Sequence, residues 1–74
     1  MGAAFDIKLE SFEASSKLKT IKEVRSFFTS LGLKETKELV EKAPCVLKVE
    51  VSKEEGEKMV ERLKAVGAKA VLVW

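Results

Sequence analysis

The feature that most constrains this chain is a change in the spacing of its apolar residues. In residues 5–10 apolar and charged side chains alternate, with Phe5, Ile7 and Leu9 on one parity, and a period of two predicts a half-buried strand. From Lys17 onward apolar residues recur every three or four positions, which predicts an amphipathic helix. Both kinds of element must share one core, because 74 residues are too few for two.

The helical pattern predicts two helices joined as a tight hairpin. The first is expected to follow Ser16, a residue type that caps helices, and to continue to Leu31. Gly32 is expected to end it in the left-handed conformation, so that a very short connection leads into a second helix from about Leu33 to Lys42. The predicted inward-facing residues are Leu18, Ile21, Val24, Phe27, Phe28 and Leu31 in the first helix and Thr36, Leu39, Val40 and Ala43 in the second.

A second strand is predicted after Pro44, because the residue before a proline avoids the helical region. Apolar and polar residues alternate over residues 45–51, and Cys45 lies on the apolar parity. This position predicts a buried structural thiol, since no histidine or cation cluster is close in sequence to lower its pKa. Earlier in the chain, the mostly polar residues 11–16 are expected to form a loop.

A third helix and a last strand are predicted in the remaining third of the chain. Ser52 and Glu55 have the spacing of a capping box, and Gly67 is expected to end the helix. Gly56 lies inside the predicted helix, where glycine costs about 1 kcal/mol relative to alanine, so we expect close packing against the sheet there. Residues 68–74 are predicted to form a strand buried largely on both faces.

The predicted order is strand, helix, helix, strand, helix, strand (β-α-α-β-α-β). It indicates an α+β fold in residues 5–74, with three helices on one face of a three-stranded sheet. Residues 1–4 are expected to be a tag or the remnant of an upstream segment.

Several classes of function are excluded by what the chain lacks. There is no histidine and only one cysteine, which excludes a Ser-His-Asp triad, a Cys-His pair, an imidazole zinc site and a disulfide. The four glycines are isolated, so no loop resembles a phosphate cradle. No apolar run approaches the ~18 residues of a membrane span. We therefore expect a protein that is not an enzyme and that binds no metal, cofactor or membrane.

The modest net charge of +2 conceals a separation of charge. Residues 17–37 hold six basic and two acidic residues, net +4, whereas residues 38–61 hold four basic and seven acidic residues, net −3. A hairpin would bring the basic residues of both helices together, with Leu18 and Leu33 as apolar anchors. An acidic protein surface is the favoured partner, because the pI of 8.8 and the lack of interleaved aromatics argue against direct nucleic-acid binding.

Two stretches carry a family resemblance. Residues 21–25 read IKEVR and residues 31–41 read LGLKETKELVE. They resemble the C-terminal domain of the bacterial-type large-subunit ribosomal stalk protein, whose pattern is IKxVR followed by LGLKEAKxLVE. The similarity extends in order over residues 5–73. It implies a domain of three antiparallel strands and three helices that captures translational GTPases, including elongation factors, and promotes their GTP hydrolysis.

The resemblance also implies which residues bind those factors and how the whole protein is organised. In the family a hinge joins this domain to an N-terminal segment that dimerises and anchors it to the large subunit. That segment is missing here, so we expect a monomeric domain from a protein that is dimeric at full length. Carried over by position, the implied factor-binding residues are Lys17, Leu18, Lys22, Arg25, Leu33, Lys34, Glu35 and Lys37.

Two further features depart from the family pattern, and two alternative functions stay open. Arg25 and Lys34 are nine residues apart, one more than the common bacterial spacing, with Phe27 and Phe28 between them. Thr36 replaces the usual alanine. The longer spacing favours a mitochondrial or plastid source over the bacterial cytoplasm. The alternative functions are a Clp-protease adaptor, which shares this fold, and a small nucleic-acid-binding module.

Overall fold

Three helices cover one face of a three-stranded antiparallel sheet in the computed structural model, which describes residues 4–28 and 30–74. The α+β class and the β-α-α-β-α-β order predicted from the sequence are confirmed. Residues 1–3, where a tag or upstream remnant is expected, and Thr29, predicted to be helical, lie outside the described residues. The elements are β1 (Phe5–Phe12), α1 (Lys17–Phe27), α2 (Leu33–Glu41), β2 (Cys45–Val51), α3 (Lys53–Ala65) and β3 (Ala68–Val73).

The first strand of the chain is the middle strand of the sheet. The strand order is β2-β1-β3, and β1 is antiparallel to both neighbours. Ile7 lies opposite Leu47 on one side and opposite Leu72 on the other. Since β2 and β3 therefore run in the same direction with β1 between them, α3 forms a crossover connection above the sheet.

The core lies between the helix-facing side of the sheet and the inner faces of all three helices. Ile7 and Leu9 of β1 are both fully buried, as expected from the alternation in residues 5–10. Among the described helices, none is long and apolar enough to cross a membrane. The buried apolar residues are Ile7, Leu9, Ile21, Val24, Val40, Leu47, Leu63, Ala68 and Ala70.

The loop predicted for residues 11–16 is wrong, because β1 continues to Phe12 and a short 3₁₀ helix follows over Ala14–Ser16. Leu9 pairs with Ala70, and Ser11 pairs with the next residue of β3, Lys69, so one extra residue of β1 forms a bulge. A bulge changes the phase of the inward and outward side chains. The alternation of apolar and polar residues therefore stops at the bulge, whereas the strand continues to Phe12.

The first helix is shorter than its apolar pattern predicts. It ends at Phe27, and the backbone of Phe28 leaves the helical region with φ −117° and ψ 76°. Phe28 still packs against the core from outside the helix, which explains why the apolar spacing continues past the end of the helix. The connection is thus five residues long. Gly32 is extended at φ −77° and ψ 171° and forms the N-cap of α2, so the predicted left-handed conformation is wrong.

One inward-facing position of α1 is filled by threonine rather than leucine. Leu18 was predicted to face the core, but it is 71% exposed, whereas Thr20 is fully buried. The Thr20 hydroxyl donates to the carbonyl of Ser16 at 2.9 Å, so burial leaves no polar atom unpaired. Thr36 is buried in α2 in the same way, with its hydroxyl 2.9 Å from the carbonyl of Gly32. Ser16 occupies the N-cap position as expected, but its side chain makes no capping hydrogen bond.

The last strand is buried on one face only, which contradicts the sequence prediction. Ala68 and Ala70 face the core, while Lys69 and Val71 are exposed on the other side. Trp74 follows the strand with 91% of its surface exposed and makes an edge contact with Phe5. The reason is that the helices cover a single face of the sheet.

The predictions for α3 are confirmed at both ends and at its buried glycine. Ser52 Oγ accepts a hydrogen bond from the N–H of Glu55 at 3.2 Å, and Gly67 ends the helix region with φ 92°. Gly56 is buried. A Cβ atom at Gly56 would collide with the side chain of Leu72 and lie 3.5 Å from Val51 Cγ2, so its absence lets the helix approach the sheet.

We expect Gly56→Val to destabilise the domain by about 1–3 kcal/mol, because a branched side chain would overpack the contact with Leu72. The free energy of unfolding can be measured by urea titration followed by circular dichroism. Lys58→Val is the matched control, since it places the same β-branched residue at an exposed site of the same helix. Equal losses in the two variants would contradict the packing explanation.

Candidate functional site

The two helices of the hairpin lie side by side in opposite directions. A five-residue connection joins the end of α1 to the start of α2. At the far ends, the Lys17 ammonium lies 2.5 Å from Glu41 Oε2 and donates a hydrogen bond to it. This ion pair shows which sides of α1 and α2 face each other.

Three exposed residues form a stripe along α1. Leu18, Lys22 and Arg25 are spaced i, i+4 and i+7, so they lie on one side of the helix. This side adjoins the buried face that contains Ile21 and Val24. Lys22 and Arg25 are exposed, which leaves both cations next to the exposed leucine.

A matching stripe runs along α2. Leu33, Lys37 and Glu41 are spaced i, i+4 and i+8, and the contact of Glu41 with Lys17 turns this side towards α1. Leu33 is 55% exposed. Lys34 lies one turn from Lys37 on the outer surface and is also exposed. We call the following six residues the basic seam: Leu18, Lys22, Arg25, Leu33, Lys34 and Lys37.

Of the other two residues implied by the family resemblance, Lys17 adjoins the basic seam and Glu35 lies apart from it. The Lys17 ammonium is engaged by Glu41. Glu35 lies on the far side of α2, where its carboxylate folds back beside Gly32, and as an acidic residue in the first turn it stabilises the positive end of the helix dipole. Seven of the eight expected residues thus lie in or beside the basic seam, and Glu35 is the exception.

Two ion pairs expected within α2 from i,i+4 spacing are not formed. Among the described side chains, neither Lys34 and Glu38 nor Lys37 and Glu41 approach within 4.0 Å, and Glu41 binds Lys17 instead. Lys37 is still close enough to Glu41 to contribute to its electrostatic field. The ammonium groups of the basic seam consequently remain accessible to a partner.

The hydrogen bond from Lys17 lowers the pKa of the Glu41 carboxyl. The positive charges of Lys17 and Lys37 lower the pKa further, and partial desolvation opposes them. Glu41 is therefore ionised at neutral pH, and its ion pair with Lys17 is formed there.

The opposite side of α1 is fixed to α3. Arg62 Nε lies 2.9 Å from Glu23 Oε1, an ion pair without the alignment of a hydrogen bond. The Arg62 guanidinium also lies over the Phe27 ring, 5.6 Å from its centroid, within the range of a cation–π contact. Because α1 is held by α2 on one side and α3 on the other, the basic seam sits on a fixed support.

Histidine and cysteine, residue types that bind metals or act as nucleophiles, are few in the described part of the chain. No group of three or more metal-ligating side chains occurs there. Cys45 is half-buried, and its thiol donates to the carbonyl of Leu39 at 3.3 Å. Burial raises the pKa of this thiol, with the charge of Lys42 opposing. A thiol with a raised pKa is a poor nucleophile at neutral pH, which fits the structural role predicted for it.

Comparison with known proteins places these elements in one family. Residues 5–72 match the model of the ribosomal protein L7/L12 C-terminal domain. The chain is 50% identical over 68 residues to the large ribosomal subunit protein bL12 of Liberibacter africanus, covering 92% of this chain and 54% of that protein. It is 52% identical to the protein of that name from Prochlorococcus marinus strain NATL2A, covering 92% and 51%. For Staphylococcus haemolyticus strain JCSC1435 the identity is 53%, covering 86% and 51%. The chain therefore spans about half the length of these relatives.

We expect the stabilising effect of the Lys17–Glu41 pair to depend on pH. The folded-state pKa of Glu41 is lowered from its ordinary value of 4.5, so the contribution is present above that value and is lost as the pH falls through the folded-state pKa. Glu41→Gln should therefore be less stable than the unaltered domain at pH 7, and the difference should vanish towards pH 2. Urea unfolding at both pH values measures this, with Glu38→Gln as the control. A gap that is the same at both pH values would contradict the assignment.

Proposed function

Because the chain belongs to the ribosomal protein L7/L12 C-terminal domain family, we propose that it is the factor-binding domain of a ribosomal stalk protein. In this role it works on the large subunit without being an enzyme itself. It recruits translational GTPases, including elongation factors, and promotes their GTP hydrolysis during protein synthesis. The observation that carries the proposal is the basic seam, in which two exposed leucines lie among four cations on a fixed helical hairpin.

The composition of the basic seam suits a partner surface with an apolar pocket and an acidic rim. Leu18 and Leu33 are 71% and 55% exposed, and burying an exposed leucine stabilises a complex by about 1.5–3 kcal/mol at most. Long-range attraction from Lys22, Arg25, Lys34 and Lys37 would raise the association rate. Rim charges add little affinity, so the partner can leave quickly after GTP hydrolysis.

The rest of the stalk protein would increase the effectiveness of such a weak site. We propose that the domain is tethered through a flexible hinge to an N-terminal segment that dimerises and anchors to the large subunit. Tethering several copies raises their effective concentration without a new contact. The isolated domain would be monomeric. The mitochondrial or plastid source favoured by the nine-residue spacing of Arg25 and Lys34 stays a prediction, and the relatives named above are bacterial.

Titration of the ¹⁵N-labelled domain with an elongation factor tests the binding site. We expect amide chemical-shift changes confined to α1 and α2 and concentrated around the basic seam. Domain alone and domain with serum albumin serve as references for nonspecific effects. Changes centred on the sheet, or no changes at saturating factor, would overturn the proposal.

Charge reversal tests the contribution of attraction. We expect Lys22→Glu combined with Arg25→Glu to slow factor recruitment and factor-dependent GTP hydrolysis at least about tenfold, the lower end of the range for electrostatic steering. The assay uses ribosomes whose full-length stalk protein carries this domain. Lys48→Glu combined with Lys58→Glu makes the same charge change at exposed positions outside the hairpin and should leave both rates nearly unchanged. Circular dichroism confirms that each variant is folded, and an unaltered rate in the first variant would refute the steering role.

A further inference from the structure

The two edge strands of the sheet differ in regularity. Between Phe5 and Ile7 of the middle strand the pairing with β2 shifts, and Glu50 of β2 has φ 48°. The backbone N–H of Glu50 donates to the side-chain carboxylate of Asp6 in β1, at 3.1 Å, rather than to a backbone carbonyl of that strand. Irregularities of this kind prevent an edge from pairing with a further strand. The β2 edge is therefore protected.

The β3 edge has no such protection. All six residues of β3 pair with β1 in unbroken order, because the extra residue of the bulge belongs to β1. Within the described residues β3 is the last strand on its side, so alternate N–H and C=O groups along its outer edge lack a strand partner. Lys69, the one charged residue of β3, points across the sheet, 3.8 Å from Glu10. The outer edge is thus a regular, open template.

A groove of about 540 Å³ runs along this open edge, between β3 and α3. One wall is formed by three consecutive residues of β3, Ala70, Val71 and Leu72. The other wall is a single stripe of α3, spaced i, i+3, i+4 and i+7, as helical neighbours on one side are. The four α3 residues of this wall are Glu57, Val60, Glu61 and Lys64.

The α3 wall of the groove carries two carboxylates and one ammonium group. Glu57 and Glu61 flank Val60 on the α3 wall, and both are exposed. Lys64 lies at the end of the stripe, 3.9 Å from Glu61, and both of these side chains are mostly exposed. An exposed pair at this distance is weak, so a second cation can replace Lys64 beside Glu61 at little cost.

We propose that this groove binds an extended basic peptide segment of a partner protein, which adds to β3 as a fourth strand. The backbone of the segment would pair with β3, as in other cases of strand addition. Glu57 and Glu61 are about 6 Å apart along the helix axis, and alternate residues of a strand are about 6.7 Å apart. Lysine or arginine at positions i and i+2 of the segment therefore matches the spacing of both carboxylates. An apolar residue at position i+1, on the other face of the added strand, contacts Val71.

This second surface is separate from the basic seam. The basic seam lies where α1 meets α2, whereas the groove lies beyond α3, on the other side of α1. The two surfaces also have opposite charge. A GTPase at the basic seam and a basic segment in the groove can therefore be bound at the same time, and the proposal does not depend on the identity of the seam's partner.

The test uses a synthetic probe, the acetylated and amidated hexapeptide (Val-Lys)₃, added to the ¹⁵N-labelled domain at low salt. We expect saturable chemical-shift changes at residues 70–72 and in the α3 wall, with residues of the basic seam unmoved. Glu57→Gln combined with Glu61→Gln should weaken binding about fivefold, the loss expected for two exposed ion pairs. Glu38→Gln combined with Glu55→Gln is the matched control for net charge and should bind as the unaltered domain does.

Two further peptides separate strand addition from simple charge attraction. The same peptide methylated at every backbone nitrogen keeps its charge but cannot pair with β3, so we expect its binding to be lost. The peptide (Val-Glu)₃ keeps the strand propensity but should be repelled by the groove. Equal binding of the methylated peptide, shifts confined to the basic seam, or no binding of (Val-Lys)₃ would overturn the proposal. So would concentration-dependent shifts at residues 70–72 without peptide, which would indicate that a second copy of the chain occupies the edge.

Discussion

The packing of helices against the middle strand is the constraint on which the rest of the structure depends. β1 pairs with both other strands, and Ile7 and Leu9 are completely buried beneath the helices. A domain of this size buries only about 60% of the surface of its unfolded chain. Few alternative contacts are available if this strand is displaced. The helices that carry both proposed surfaces contribute to the same core cluster as these two side chains.

The proposed factor-binding surface lies on the outside of this core and consists of exposed side chains. Leu18 and Leu33 add nothing to the core, and the cations beside them are not neutralised within their own helices. The carboxylate that could have neutralised Lys37 is used to hold α1 against α2. The same ion pair therefore stabilises the hairpin and leaves charge available for a partner, which fits a site designed for rapid and reversible contact.

Element types and their order were predictable from apolar spacing, while several details were not. The spacing of apolar residues in residues 5–10 and from Lys17 onward depends only on local sequence. The strand and the helix that it predicts are both present in the fold. The burial of Thr20 was not predictable from apolar spacing, because it depends on a hydrogen bond to Ser16 that composition does not reveal. The bulge in β1 and the pairing of Lys17 with Glu41 depend on residues distant in sequence, so no local pattern could show them. Most residues of the basic seam followed from charge and family resemblance, but the exclusion of Glu35 from it required the orientation of α2.

The irregular β2 edge limits how these domains can aggregate. Copies of the proposed stalk protein that are held at high local concentration would collide often, and a sheet with two regular edges could extend from copy to copy into a filament. Here one edge is distorted around Glu50, so edge-to-edge contact stops once two β3 strands have met. A growing fibre would need a second usable edge that the domain does not supply. Edge-to-edge contact under crowding is thus directed to the β3 edge, which favours a closed pair over an open chain.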